Sequence, residues 1–212
     1  DIVLECLASG EAVLSEAEKQ LGTALLDLGG GTTDLAVFSG KNIKHTFVLA
    51  LGGDNLTNDI AIGLRCPHPE AEKIKKKFGS CIARSIHADE TIEVPGVSNR
   101  EARKLSRQIL GEILEPRMEE IFSLVHQVIR ESGYEELLSS GIVITGGSAV
   151  MPGMVELGED IFLKPVRKGN PTYNGPLHDM VANPRSATVM GLLEEARLGR
   201  ARGQKAAQQA GS

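Results

Sequence analysis

The sequence has no tryptophan, two tyrosines and five phenylalanines in 212 residues. So few rings exclude a stacking platform for bases or sugars as its main business. Its three cysteines, Cys6, Cys66 and Cys81, are odd in number and far apart. That argues against a disulfide framework and fits a reducing compartment. The stretch CPHP at 66–69 has no second Cys/His pair at zinc spacing, and the five histidines form no cluster, so they supply no expected metal ligand set. No apolar run is long enough to span a bilayer, and the opening does not read as a signal peptide. A net charge of −5 gives no footing for nucleic acid or an anionic membrane as the main partner.

What is present is an ordinary soluble composition, 41% hydrophobic and 24% charged, enough for one sizeable core or two small ones. The chain opens without Met on DIVLECLASG, which reads as the tail of a structural element and leads us to expect a piece of something longer. Residues 24–28, 34–38 and 43–51 read as strands joined by short turns, with SGKN at 39–42 supplying hairpin chemistry. This is an antiparallel meander rather than a βαβ unit. After Gly52 and Gly53, Leu56, Ile60 and Leu64 mark one face of a helix. A second helix spans 70–79, with Ala71, Ile74 and Phe78 as its apolar stripe and Gly79 as its C-cap.

Short strand signals occupy 81–97. Ser98 and Glu101 match a capping box, which predicts a helix through Leu105, Ile109 and Ile113. Pro116 interrupts that pattern, and Met118, Ile121, Val125, Val128 and Ile129 resume it, so a kink or a boundary between two helices is expected there. A strand, a glycine pair and a helix start follow at 141–153. Residues 165–169 give a short strand, a Pro/Gly-rich loop reaches Pro184, and a last helix spans about 185–197. The polar tail GRARGQKAAQQAGS reads as disordered.

The strongest local signal is LLDLGGGTTDLAVFSG at 25–40. It lacks the Gly-Lys-Ser/Thr of a Walker A loop, and Asp34 stands where a dinucleotide fingerprint needs its third glycine. A strand–GGGTT–strand turn has another logic. Successive glycine amides can point into one concavity that binds anions, and the hydroxyls of Thr32 and Thr33 can donate to phosphate oxygens. Asp27, at the end of the first strand, can hold the accompanying magnesium through waters. A plain β-turn is the competing reading. Two further glycine pairs, Gly52-Gly53 and Gly146-Gly147, would gather at the same sheet edge, where ligands commonly bind. Glu72 and Lys75, three apart on a helix, share a face. One can accept from a ribose hydroxyl and the other can cover an adenine ring, or they form an exposed ion pair of little consequence.

In this order, these residues resemble the second half of the actin-like ATPase superfamily. LLDLGGGTTDLAVF looks like its second phosphate motif, IVITGGSAVMPGMVEL like its adenosine motif, and AEKIK like the helix over ribose and adenine. GGGTTDLAVFSGKNIKHTFVLALGGDNLTNDIAIGL, EAEKIKKKFG, IEVPGV, ILEPRMEEI and ATVMGLL are similar to the FtsA family of bacterial cell-division proteins. The match covers about residues 1–198. A rod-shape actin homologue or a sugar or acetate kinase of the same superfamily are the rival readings.

The resemblance implies an α/β chain with an actin-like ATPase (ribonuclease H-like) fold: subdomain IIA, residues 1–53 plus 116–198, with an inserted α+β subdomain IIB over 54–115, and a disordered tail over 199–212. It implies ATP with Mg²⁺ as cofactors. Asp27 would hold the ion through water, and Gly29, Gly30, Gly31, Thr32 and Thr33 would hold phosphates. Gly146, Gly147 and Ser148 would line the adenosine pocket, while Glu72, Lys75 and Asn55 would contact ribose or base. No catalytic residue is implied; the complete protein would be at most a weak ATPase.

The implied partners are the C-terminal peptide of FtsZ on subdomain IIB, further copies in a polymer, and other divisome proteins, with no nucleic acid. Arg103 and Arg107, in the basic stretch with Arg100 and Lys104, would meet the acidic peptide. The implied setting is the cytoplasmic face of the inner membrane at the septum. Membrane contact would come only from a C-terminal amphipathic helix, and the tail here has no apolar face.

Overall fold

The computed structural model describes residues 5–98 and 100–210, with side chains described to residue 200. Residues 1–4 of the opening stretch and the last two of the tail lie outside the described residues. Helices α1 (Glu5–Val13) and α2 (Glu16–Leu21) lead into strands β1 (Thr23–Leu28), β2 (Thr33–Ser39) and β3 (Asn42–Leu49). Helices α3 (Gly53–Leu64) and α4 (His68–Phe78) follow, then strands β4 (Thr91–Val94) and β5 (Arg103–Ser106). Helix α5 (Arg107–Glu131), strand β6 (Ile142–Thr145), helix α6 (Met154–Phe162), strand β7 (Val166–Lys168) and helices α7 (His178–Val181) and α8 (Ala187–Ala210) complete the order.

The main sheet runs β3-β2-β1-β6-β7. β1, β2 and β3 form the antiparallel meander that their turn residues predict, whereas β6 lies parallel to β1 and β7 parallel to β6. In the β2–β3 turn Gly40 and Lys41 both take positive φ, 58° and 67°, the pattern that suits the twist of a two-residue hairpin. β1 lies inside the sheet and all six of its residues are buried, because both faces are covered. Leu26 and Leu28 share one core with Phe122 of α5 and Phe162 of α6. Leu25 faces the opposite way, in a smaller core with Val13 of α1 and Ala187 of α8. The larger core also takes in Leu56 and Ile60 of α3, Ile74 of α4 and Ile92 of β4, so the 54–115 region packs continuously with the sheet.

Two expectations around residue 100 are corrected. Ser98 makes no capping box; its φ is 55°, and no helix starts there. Residues 103–106 instead form β5, pairing antiparallel with β4 so that Leu105 lies opposite Ile92. The helix begins at Arg107, where the Ser106 hydroxyl accepts from the Gln108 amide. Pro116 then sits inside one 25-residue helix rather than between two. An interior proline costs about 3 kcal/mol. Leu110, Leu114, Met118, Ile121, Phe122, Val125 and Ile129 are all buried on α5, each contributing about 1.5–3 kcal/mol, so continuity wins. The tail expectation is corrected too: α8 runs on to Ala210, through a stretch rich in the helix formers Ala, Gln, Arg and Lys.

Candidate functional site

Three turns at the ends of β1, β3 and β6 converge on one cleft of about 370 Å³, within the size range of small-molecule sites. Gly29 and Gly30 line one side, Glu72 and Lys75 of α4 another, and Gly147 and Ser148 a third. Met151 and Pro152 add apolar surface. The turns hold each other in place. The amides of Gly53 and Asp54, at the start of α3, donate to the carbonyls of Gly29 and Gly30 at 2.9 and 2.8 Å. These bonds turn the glycine carbonyls towards α3. Among the described residues, no backbone carbonyl accepts from the amides of Gly30, Gly31 or Thr32, the state a backbone anion nest requires. Gly52 must be glycine, because a Cβ there would lie 2.5 Å from the Gly30 oxygen.

The α4 wall is closely bonded. The Lys75 side chain is nearly buried, 10% exposed, and its Nζ donates to the Gly53 carbonyl at 2.8 Å and to Thr57 Oγ1 at 2.7 Å. It also pairs with Glu72 Oε2 at 2.8 Å, while Lys76 reaches Glu72 Oε1 at 3.1 Å. Thr57 Oγ1 hydrogen-bonds Glu72 as well. Burial alone raises the Glu72 carboxyl, but donors from Lys75, Thr57 and Lys76 outweigh it and take the group down to about 2. Lys75 is therefore committed to holding α3 and α4 together, and Glu72 is a fixed anion at the cleft wall. Asn55, too, is committed: its Oδ1 accepts from the Gly52 amide at 2.9 Å.

Asp27 lies beneath the cleft, 4% exposed. Its Oδ2 accepts from Ser9 Oγ of α1 at 2.6 Å and from Thr188 Oγ1 of α8 at 3.3 Å. Burial pushes its pKa up; the Ser9 hydrogen bond opposes that, and the Asp34 carboxylate adds to it. Gly146 packs directly on Asp27. Its φ is +91°, and a Cβ would sit 2.5 Å from Asp27 Oδ1, so both conformation and contact demand glycine.

Of the residues expected at the site, Gly29, Gly30, Glu72, Lys75, Gly147 and Ser148 come together around the cleft. Asp27 and Gly146 lie under it. Gly31 is exposed, with open space around it. Thr33 is buried and its hydroxyl donates to the Leu51 carbonyl at 2.9 Å, so it is not free for a phosphate. Thr32 Oγ1 donates to Asp34 Oδ2 at 2.9 Å. The two expected partner-binding arginines are tied inward. Arg103 donates to the Leu64 carbonyl at the end of α3. Arg107 donates to the Phe78 carbonyl at 2.8 Å and pairs with Glu90.

Sequence reasoning missed Asp54, Gly79 and Arg185 as cleft residues. Asp54 follows a glycine pair that was itself legible. Arg185 had no local signal; it arrives because the Pro184 carbonyl accepts from the Gly146 amide at 3.1 Å.

Magnesium is tested by the donor set. Among the described residues no group of three His, Cys, Asp or Glu side chains can hold a metal ion. Asp27 Oδ1 receives no side-chain hydrogen bond, since both hydroxyls go to Oδ2. Such a donor set would fit a hydrated ion carried on phosphates, which Asp27 would reach through water.

Comparison with known proteins follows the same lines. The sequence model of a family described as "Cell division protein FtsA" matches residues 24–191. The chain is 51% identical over 193 residues to the cell division protein FtsA of Pseudomonas aeruginosa, covering 91% of this chain and 46% of that protein. It is 40% identical over 194 residues to the Bacillus subtilis FtsA, covering 92% and 43%. To the Escherichia coli K12 FtsA it is 38% identical over 199 residues, covering 91% and 47%. The chain thus spans about half the length of the curated relatives it matches.

Among solved structures, MreB5 of Spiroplasma citri bound to ADP superposes with a TM-score of 0.76 at 20% identity, over 96% of this chain and 61% of that one. The MamK double helical filament gives 0.59 at 16% identity, over 85% and 57%. These likenesses show the actin-like ATPase fold that the motifs led us to expect.

Proposed function

The chain belongs to the FtsA family of cell-division proteins, and from that premise we propose that it forms one side of a nucleotide cleft in an actin-like division scaffold. The observation that carries this reading is the convergence of three glycine turns and the Glu72–Lys75 pair on one cleft. The nucleotide is ATP. Its phosphates lie against the amides of Gly29–Gly31, its ribose faces Glu72, and its base lies beyond Gly147 and Ser148. Magnesium, when bound, neutralises phosphate charge, and Asp27 orients its water shell. Lys75 does not touch the base; it fixes Glu72 and the start of α3. MreB5 of Spiroplasma citri has been solved with both ADP and AMPPNP, which supports a nucleotide in the same fold.

The complete scaffold assembles with further copies of itself into a polymer and tethers FtsZ filaments at the cytoplasmic face of the inner membrane, at the septum, alongside other divisome proteins. Among the described residues no helix is long and apolar enough to cross a membrane. The FtsZ tail docks on the 54–115 region. Arg103 and Arg107 shape that surface from within, and the exposed Arg100 and Lys104 meet the acidic peptide.

Amide spectra of the ¹⁵N-labelled chain, titrated with ADP with and without magnesium, test the nucleotide reading. Shifts at Gly29–Gly31 and Gly147 are expected, with weak affinity because half the clamp lies in the part of the relatives this chain does not match. Micromolar binding would contradict the half-clamp argument, and no shift at all would sink the reading. For the partner, a Lys104→Glu variant should weaken binding of an FtsZ tail peptide; unchanged affinity would remove the assignment.

A further inference from the structure

We infer that Arg185 is the flat cover for the purine base in this cleft, an inference that rests on the nucleotide reading above. A nucleobase bound in a protein is ordinarily met by a planar or apolar face, yet no aromatic side chain lines this cleft. Among its lining residues the guanidinium of Arg185 is the planar cation. Of the other two cations, neither of them planar, Lys75 is committed to Gly53, Thr57 and Glu72, and Lys76 pairs with Glu72. Among the described residues the Arg185 side chain pairs with no carboxylate, and its backbone amide is what receives support, from Asn183 Oδ1 at 3.0 Å.

The backbone that carries it is rigidly placed. Arg185 is the middle residue of the 3-10 turn Pro184–Ser186. The Pro184 carbonyl accepts from the Gly146 amide at 3.1 Å and from Thr145 Oγ1 at 3.2 Å. That fastens the turn to the end of β6, beside Gly147 and Ser148, while the Arg185 side chain itself stays exposed at the cleft. A guanidinium stacks on a ring face through both cation–π attraction and plane-to-plane contact, which an ammonium cannot reproduce. The two fused rings of a purine offer more of that contact than a pyrimidine does, so Arg185 sets a purine preference.

The test uses the ¹⁵N-labelled chain and three probes: adenosine, uridine and ADP. Adenosine should shift the amides of Gly147, Ser148 and Gly79, and uridine should bind several-fold more weakly. Arg185→Ala should weaken adenosine about five-fold, the usual scale of a stacked cation at a partly exposed site. Arg185→Lys, which keeps the charge and loses the plane, should weaken it nearly as much. Adenosine binding by Arg185→Ala or Arg185→Lys equal to the unmodified chain overturns the inference while leaving the nucleotide reading intact. So does a loss confined to ADP, which would make Arg185 a phosphate contact. Silence towards both adenosine and ADP in the unmodified chain removes the nucleotide reading and this inference with it.

Discussion

Two carboxylates at or next to this cleft, Asp27 and Glu72, are pushed in opposite directions by their surroundings. Asp27 lies beneath it, 4% exposed, met by the hydroxyls of Ser9 and Thr188 but, among the described residues, by no cation. Glu72 lines the cleft with two lysines and a threonine on it. Burial raises Asp27 and two neutral donors do not compensate; charged donors overcompensate at Glu72 and bring it to about 2. The difference is that of a neutral hydrogen bond against a charge-assisted one. Under the function proposed above, it also separates tasks: the buried carboxylate without a cation would meet one that comes with a ligand, whereas the saturated one is part of the frame.

The side of the cleft built on Asp27 is the more brittle. Gly146→Ala puts a methyl group 2.5 Å from Asp27 Oδ1 and 2.7 Å from the Leu28 nitrogen and oxygen, at a φ of +91°. A loss of about 3 kcal/mol is expected from backbone strain and overlap together, read as a fall in the urea midpoint. A variant as stable as the parent would mean that β1 and β6 can separate locally, and the tight packing at Asp27 would lose its meaning.

Lys75→Met comes next. It leaves the Glu72 carboxylate with the exposed Lys76 as its remaining cation, and removes a donor from the Gly53 carbonyl. About 2 kcal/mol is expected, below the cost of breaking a fully buried pair because Glu72 keeps contact with water. The pH dependence carries the sign. The folded value of Glu72 is depressed, so its contribution is full above the ordinary 4.5 and is lost as pH falls towards about 2. The gap between parent and Lys75→Met should therefore close on acidification across that window. A gap that persists at low pH would assign the loss to the lysine's packing and its hydrogen bonds to Gly53 and Thr57 rather than to its charge.

How far the sequence disclosed this arrangement depends on the range of the forces involved. The meander was legible because each strand is a short apolar run closed by glycines. The burial of Thr33 was legible in principle: it shares the face of Leu35 and Val37 in β2, and both are buried. Strand β5 was not, because Leu105, Ile109 and Ile113 fall at helical spacing, and only pairing with β4 places Leu105 in a strand. Lys75 was read as a ligand contact from its spacing to Glu72, but its engagement with Gly53 and Thr57 of α3 arises from helix packing. Arg185 was invisible because its place depends on a hydrogen bond between Gly146 and Pro184, and no local pattern encodes a contact that distant.

Asp27→Asn should act in the other direction. The raised folded value means that the stabilising contribution of the protonated form is full below the ordinary 3.8 and is lost as pH rises through the raised value. At neutral pH the ionised group is a cost, and a neutral amide of nearly the same shape removes it. A gain of about 1 kcal/mol at pH 7 is expected, shrinking as the pH is lowered. Destabilisation at pH 7 would show that the Ser9 and Thr188 hydroxyls together match a cation. The comparison with Glu72 would then fail.

The smallest effect separates the two lysines that share Glu72. Lys76 reaches Oε1 at 3.1 Å with its own side chain 58% exposed, against 10% for Lys75. An exposed pair at i, i+4 contributes about 0.3–0.5 kcal/mol and is screened by salt. Lys76→Ala should accordingly cost no more than that, and the cost should vanish in about 1 M salt, where the Debye length falls to about 3 Å. The Lys75→Met penalty should largely survive the same salt, because the lysine is only 10% exposed and two of its partners, Gly53 and Thr57, are buried. Equal, equally screened losses for the two variants would mean that Glu72 is a surface anion held by charge alone. The α4 wall would then be as adaptable as the Asp27 side is rigid, the reverse of the frame described for it.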